Sequence, residues 1–401
     1  MIRRRVVAAL GLSQMIYWGT TYYLIGGFGT AIAADTGWSP AWVHGGFALA
    51  LLTMGLVSPL VGRLIDRHGG RPVMSAGSLL AAAGCALLAA AHSLPVYYAA
   101  WLLLGLSMRC TLYDAAFAAL ARLGGAEARR AMTHITLPGG LASTVFWPLG
   151  QFMASHLGWR GAVAGYALIA LAGLLLHRQI PAGRHDATAA GTGAPRAPLA
   201  QGPDERLAAG LLYALIVTLT NFLNSGMSAH MIGILAGLGL ATATAVWTAA
   251  LRGIGQSTAR LGEALFGRRL HPLDLNLSAT VLLPLCFAAA LWAGDQPALA
   301  ATFALGYGMG NGLLTITRGT VPLVMFDLTT YGALVGRLLV PGFIVSAAAP
   351  LIYAGVIARW GPSGALVLSI GVATATVAAA LLLRTRFAAA RRTTGPAAGG
   401  I

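Results

Sequence analysis

Four arginines, Arg109, Arg252, Arg260 and Arg318, fall inside long apolar stretches of the sequence, far from the turns that would keep them in water. A guanidinium at the centre of a helix in hydrocarbon costs about 2.5 to 3.5 kcal/mol on insertion scales, so each needs a reason to be there. Against them the same stretches offer one plain acid, Asp114, with Glu263 and Asp327 near the ends of theirs. An excess of forked, permanently charged donors suits a carboxylate or phosphate guest. Internal pairing is the competing account: Arg260 and Glu263 are three residues apart, a spacing that puts them on one helix face. Arg260 and Arg318 also lie toward one end of their stretches, from where a long side chain reaches water.

Asp114 and His134 sit at comparable depth on consecutive stretches that run in opposite directions, so they can meet. A buried Asp beside a His takes up and releases a proton as its surroundings open and close, and a static interhelical hydrogen bond is the plainer alternative. Gln14, Trp18, Tyr22 and Tyr23 on the first stretch, Asn221 and Asn224 on the seventh, Gln256 on the eighth and Asn311 on the tenth are further polar candidates for a binding path. Asn221 and Asn224 share a helix face, as a ligand pair would, although amides also join helices in membranes. His44 and His230, near the ends of their stretches, read as interfacial residues. Trp147-Pro148 and Pro138-Gly139-Gly140 read as bending points.

No phosphate-cradling glycine loop, paired-histidine zinc motif or serine elbow is present, so no enzyme, catalytic residue or cofactor is expected. Cys85, Cys110 and Cys286 lie in apolar stretches without metal-ligand spacing, and no metal site is expected either.

These residues must be positioned by membrane helices. Of 401 residues 57% are hydrophobic and 9% charged, with a mean hydropathy of +0.74. A crossing takes roughly 20 helical residues, and the pattern predicts twelve spans, near 6–33, 41–62, 73–92, 95–121, 131–156, 161–180, 207–235, 241–266, 275–293, 297–325, 331–358 and 364–384. Unbroken apolar runs such as 73–91 exclude the alternating strands of a barrel. All 26 basic residues counted as Lys and Arg are Arg. They cluster in the turns after even-numbered spans and at the termini, leaving only Arg160 and Arg359 on the opposite side. That asymmetry places both termini in the cytoplasm of an inner-membrane protein embedded in the lipid bilayer, and it makes a nucleic-acid partner unnecessary. The basic opening Met1-Ile2-Arg3-Arg4-Arg5 imitates a secretory signal, but the apolar run to Ala34 is too long for a signal core and reads as a retained helix.

Residues 181–205, rich in Ala, Gly, Pro and Thr, divide six spans from six and read as a flexible cytoplasmic linker between bundles at 1–180 and 206–386, with a disordered tail at 387–401. A slide of 200 residues sets Leu51 on Leu251, Gly55 on Gly255 and Gly62 on Gly262, and a slide of 201 sets Gly105 on Gly306. The same comparison puts Arg252 and Arg260 where the first half has Leu52 and Leu60, and Arg318 where it has Phe117. The charges belong to one half.

The run from Gly62 to Arg71, with Asp66-Arg67 in the middle and Gly70-Arg71 at the end, resembles the loop signature between the second and third helices of the major facilitator superfamily. The resemblance implies an all-α membrane protein of 12 transmembrane helices in two pseudosymmetric six-helix bundles that rock about a central site lined by the first, fourth, seventh and tenth helices. It also implies that Gly62, Asp66, Arg67 and Arg71 form a conformational gate in which the aspartate caps a neighbouring helix. Gly37-Trp38-Ser39 and the run from Tyr331 to Gly336 are similar to the monocarboxylate and oxalate-formate branch. Arg260 falls about where that branch keeps an anion-binding arginine, while the lysine of the oxalate-type members has no counterpart. The expectation is a monomeric secondary transporter of a small organic anion, coupled to protons by symport. Its substrate-binding residues would be Arg252, Arg260, Arg109, Arg318, Asn221, Asn224, Asn311, Tyr22 and Trp18, with proton coupling at Asp114 and His134. Efflux of amphipathic or metalloid compounds, or a receptor of the same fold that does not transport, are the alternatives.

Overall fold

The computed structural model describes residues 2–124, 128–183, 198–266, 270–294, 296–326 and 331–388, and every regular element among them is helical. Asp327, most of the expected linker and nearly all of the expected tail lie outside the described residues. Eight helical stretches among the described residues are long and apolar enough to cross a membrane. Inside a bilayer no water satisfies backbone N–H and C=O groups, so a chain this apolar closes its hydrogen bonds within helices. Leu56, Leu168, Trp247, Leu285 and Val367 point outward and are mostly exposed, as side chains solvated by lipid would be.

The first stretch is not one regular helix. Helix α1 (Arg4–Tyr17) widens into a π turn (Trp18–Tyr22) before α2 (Leu24–Thr36). Thr20 and Thr21 donate their hydroxyls back to Ile16 O and Tyr17 O, a habit that bends membrane helices. Around this turn Trp18, Tyr22 and Tyr23 pack on one another, with ring centroids 4.7 to 5.9 Å apart. Helix α3 (Pro40–His68) starts at Ser39, which caps Trp42 N, and ends at Gly69, where α4 (Gly70–Ala89) begins at once.

The expected span 95–121 is broken. Helix α5 (Leu94–Thr111) stops at Leu112, whose ψ of −177° is extended, and α6 (Tyr113–Gly124) resumes. Gln14 Nε2 donates to the Thr111 carbonyl at 2.8 Å beside the break, so the exposed backbone oxygen is satisfied from α1. The expected fifth span divides at Leu141 between α7 (Ala128–Gly140) and α8 (Ala142–His177). The interruption therefore follows Pro138-Gly139-Gly140, and α8 runs on through Pro148 to Gly158, where it leaves helical geometry.

The second part of the chain comprises α9 (Pro203–Gly237), α10 (Thr242–Phe266), α11 (Pro272–Ala290), α12 (Pro297–Met325), α13 (Tyr331–Leu338) and α14 (Val340–Arg386), the last leaving helical geometry at Gly361. Left-handed glycines recur: Gly37 and Gly239 are 202 residues apart, and Gly158 and Gly361 are 203 apart, close to the offset of the sequence repeat. The expected boundary of the linker is corrected at its end. Glu205 Oε2 accepts from Gln201 N and Gly202 N, so α9 begins at Pro203, inside 181–205. Before it, Leu199 N and Ala200 N bond to Val324 O and Met325 O at 3.0 and 3.2 Å, which ties this end of the linker to α12.

Helix α9 packs along α14, α10 along α12, and α4 along α5 and α8, while α3 against α14, α2 against α9 and α10 against α7 and α8 join the two parts. The α10–α12 contact is backbone to backbone: a Cβ on Gly255 would lie 2.1 Å from Leu305 O, and one on Gly308 would lie 2.1 Å from Arg252 O. Gly255→Val is therefore expected to push the helices apart and destabilise the protein by about 1–3 kcal/mol or more. Thermal unfolding in detergent checks it, and Gly262→Val, where a Cβ meets nothing within 4 Å, is the matched control.

Candidate functional site

Where the π turn, α6, α7, α9, α10 and α12 converge they leave a cavity with about 730 Å³ of empty space, part of it open to solvent. The break at Leu112 brings Tyr113 onto the wall, and the π turn supplies Trp18 and Tyr23. Amides from Asn221, Asn224, Gln256, Asn276 and Asn311 make up much of the rest, together with Arg260 and Arg318. Among the described residues, no Asp or Glu side chain lines the cavity.

Arg260 is fully buried and reaches across the molecule. Its Nε donates to Gly312 O at 3.3 Å, and its Nη1 donates to Tyr113 Oη at 3.1 Å and to Thr136 O. All three acceptors are neutral oxygens. Arg318 donates through Nη2 to Asp114 Oδ2 at 3.1 Å, and both side chains are about one-fifth exposed, at 23% and 19%. Its Nε is buried without a partner.

The unsatisfied atoms have one polarity. Among the described residues lining the cavity, the buried side-chain atoms without a hydrogen bond are Trp18 Nε1, Gln256 Nε2 and Arg318 Nε, all nitrogens that donate. A buried donor left unmade costs about 1–3 kcal/mol, so the unmet demand of these lining residues is for acceptors.

Of the residues expected to bind, Trp18, Asn221, Asn224, Asn311, Arg260 and Arg318 stand on the cavity wall. Three do not. Arg252, expected to ring the cavity, lies behind it: Nη1 donates to Ser228 Oγ at 3.1 Å, Nη2 to Asn224 Oδ1 at 2.5 Å, and its carbon end sits over the rings of Tyr23 and Tyr307 at 5.3 and 5.0 Å. Asn224 is thereby fixed, since its Oδ1 also accepts from Asn311 Nδ2 and its Nδ2 donates to Tyr22 Oη. Tyr22 is likewise one layer back. Arg109 is buried against Ser58, donating Nε to its Oγ at 2.9 Å and Nη2 to its carbonyl at 3.2 Å. Arg252→Ala is therefore expected to lower the unfolding temperature with and without ligand by similar amounts, because it removes a buried donor set rather than a ligand contact. Melting curves with and without ligand check this.

The expected Asp114–His134 pair does not form. Asp114 is taken by Arg318, and His134 is exposed on α7 with Nδ1 donating to Arg130 O at 2.5 Å. The α3–α4 turn holds the residues expected to form the gate. Asp66, Arg67 and Arg71 are exposed, and the N-cap residue of α4, Gly69, brings no capping side chain. The tie across the turn runs from Arg122 Nη1 to the backbone oxygen of Asp66 instead of to its carboxylate. A Cβ on Gly62 would meet nothing within 4 Å, so that glycine is not sterically required here.

Tyr23 and Gln256, candidates for the binding path, stand on the wall, and Tyr113, Tyr213 and Asn276 are wall residues that the sequence does not single out. For Tyr113 the missing signal is the helix break, which no Pro or Gly marks between Met108 and Tyr113.

A sequence profile of the Major Facilitator Superfamily matches residues 10–326. Monocarboxylate transporter 3 of Rattus norvegicus is 37% identical over 143 residues, 34% of this chain and 26% of that protein. Monocarboxylate transporter 11 of Mus musculus is 31% identical over 169 residues, 40% of this chain and 35% of that protein. The alignments thus span about a quarter to a third of these relatives' own length. A chloramphenicol resistance protein of Streptomyces lividans is 28% identical over 310 residues, covering 74% of this chain and 76% of the other. The solved structure of the human organic anion transporter MFSD10 (TETRAN) superposes over 94% of this chain and 99% of its own, with a TM-score of 0.67 at 20% identity, a likeness of fold.

Proposed function

Because the chain belongs to the major facilitator superfamily, we propose that it is a secondary transporter that moves a small, monocarboxylate-like organic anion across the inner membrane by alternating access. The observation that supports this reading is that the unmatched buried atoms of the lining residues are all donors, beside two guanidinium groups and no carboxylate among the described lining residues. The guest supplies the missing acceptors: its carboxylate engages Arg260 and the free Nε of Arg318, and Gln256 and Trp18 donate to its remaining oxygens. The names of the monocarboxylate relatives agree with that chemistry.

In this reading the long helices α8 and α14 each count as two crossings divided at Gly158 and Gly361. With Arg4–Thr36 and Thr242–Phe266 they complete twelve spans in two six-helix bundles, and both termini are cytoplasmic. Protons accompany the anion, the working unit is a monomer, and the α3–α4 turn with Asp66, Arg67 and Arg71 acts as a cytoplasmic gate. Purified protein in liposomes, loaded with an inside-alkaline pH gradient, is expected to accumulate a labelled small monocarboxylate above equilibrium. Failure to move any of a panel of carboxylates would remove the reading.

Efflux of an amphipathic compound is the second reading, favoured by one observation: the match to the chloramphenicol resistance protein runs along three quarters of both chains, at 74% and 76%. Resistance conferred on a sensitive host, without carboxylate flux in liposomes, is the result that would select it.

A further inference from the structure

His44 and His230 are not interfacial side chains. Both are more than nine-tenths buried, at 9% and 8% exposure, and their rings are in contact, tilted by 44° with centroids 4.2 Å apart. His44 stands on α3, one turn from its start, and His230 on α9, two turns from its end, so the contact joins the two parts of the chain at the end of the molecule opposite the Arg122–Asp66 tie. The helices are tight there: a Cβ on Gly26 of α2 would lie 2.1 Å from Ser228 O of α9.

The hydrogen bonds define the protons. Pro350 O can only accept, so His230 Nε2, 2.8 Å away, is the donor, and Nδ1 of that ring is left with a lone pair in the neutral form. His44 Nδ1 is buried with no partner. Helix α14 also receives Ser225 Oγ at Ser346 O, 2.9 Å away, the carbonyl that the missing N–H of Pro350 leaves free. His230 is thus anchored to α14, whereas His44 is held by packing alone.

The titratable neighbours carry no compensating charge. From α14, Tyr353 stacks on His230 at 6.2 Å with its hydroxyl bonded to Ser369. From α5, Tyr97 and Tyr98 bond to Val43 O and Trp42 O beside His44. From α2, Asp35 is engaged by Arg160, and from α10, Arg252 reaches Ser228 without acting on either imidazole. Neither imidazole has a carboxylate acting on it among the described residues.

We propose that the His44–His230 pair is a proton-binding site that clasps the two parts of the chain while both rings are neutral and releases them when it is charged. A proton adds to an imidazole lone pair with no bond broken, turning a contact between neutral rings into a cation that has no acceptor in place. Water is the available solvent for it, and separating the parts admits water. The site lies on the outer face in the orientation proposed above, so acid outside would open that face to the anion. In this form the inference rests on the transport reading.

The test labels Ala41→Cys on α3 and Thr242→Cys on α10 with nitroxides in the full chain in nanodiscs. The native cysteines are buried. Between about pH 7.5 and about pH 5.5 the interspin distances are expected to gain a longer population in the parent and not in His44→Gln or His230→Gln. His44→Phe, which keeps a flat ring without a proton site, serves where Gln impairs folding. A pH response that survives in all the variants, or is absent from the parent, overturns the proposal. Liposome uptake separates the two readings. A pH response through the histidines without anion flux would leave the proton site and remove the transporter, whereas intact flux with pH-insensitive distances would do the reverse.

Discussion

Arg260→Gln is expected to weaken binding of a small organic monoanion by about two orders of magnitude, as the loss of a charge-assisted contact in a partly desolvated site does. The reason is its place: Arg260 is on the cavity wall, and its hydrogen bonds go only to neutral oxygens, Gly312 O, Tyr113 Oη and Thr136 O. Those bonds give the residue a structural share as well, since they connect α10 to α6, α7 and α12. Melting without ligand measures that share, and titration with ligand measures the rest. Arg260→Lys keeps the charge but not the fork, and it is expected to recover only part of the affinity. Equal affinities in parent and Arg260→Gln would remove this residue from the site.

The second large effect concerns Asp114. Its carboxylate neutralises Arg318 across the two parts of the chain, at 3.1 Å and with both groups partly exposed. Removing it with Asp114→Asn leaves Arg318 for the guest, so affinity for the anion is expected to rise about tenfold, worth about 1.4 kcal/mol. Arg318→Gln, by contrast, leaves an unneutralised carboxylate beside the cavity and is expected to repel the anion. The exchanged pair Asp114→Arg with Arg318→Asp restores the ion pair without its original direction and should regain stability more fully than affinity. If proton movement also passes through Asp114, Asp114→Asn loses uphill accumulation while keeping exchange. Isothermal titration of the variants, with counterflow in liposomes, distinguishes these outcomes.

The membrane helices were legible from composition alone, because nothing but burial in lipid accounts for so many long apolar runs. The four arginines were legible by their cost. Which way each one points was not, since a helix that is apolar all round has no face to read. Arg252 and Arg260 illustrate this: eight residues rotate about 80° around the axis, enough to place one on the cavity wall and the other behind Asn224. Asp114 was found as the acid of the interior, but its partner was misassigned because the α5–α6 break at Leu112 shifts everything after it, and a break without Gly or Pro leaves no mark in the sequence. The histidines failed differently. His44 and His230 lie 186 residues apart, and only the packing of α2 and α3 against α9 brings them together. The recurring left-handed glycines, by contrast, repeat an offset that the sequence already carries.

Unmatched donors and two guanidinium groups at the cavity select an anion in the proposed transporter. Thermal shift of the purified chain with small carboxylates and with their neutral amides of the same shape tests it most directly. Carboxylates are expected to stabilise the parent and not Arg260→Gln, and the amides to stabilise neither. Equal stabilisation by carboxylate and amide, or a carboxylate shift that persists in Arg260→Gln, would rule out anion selection by this cavity.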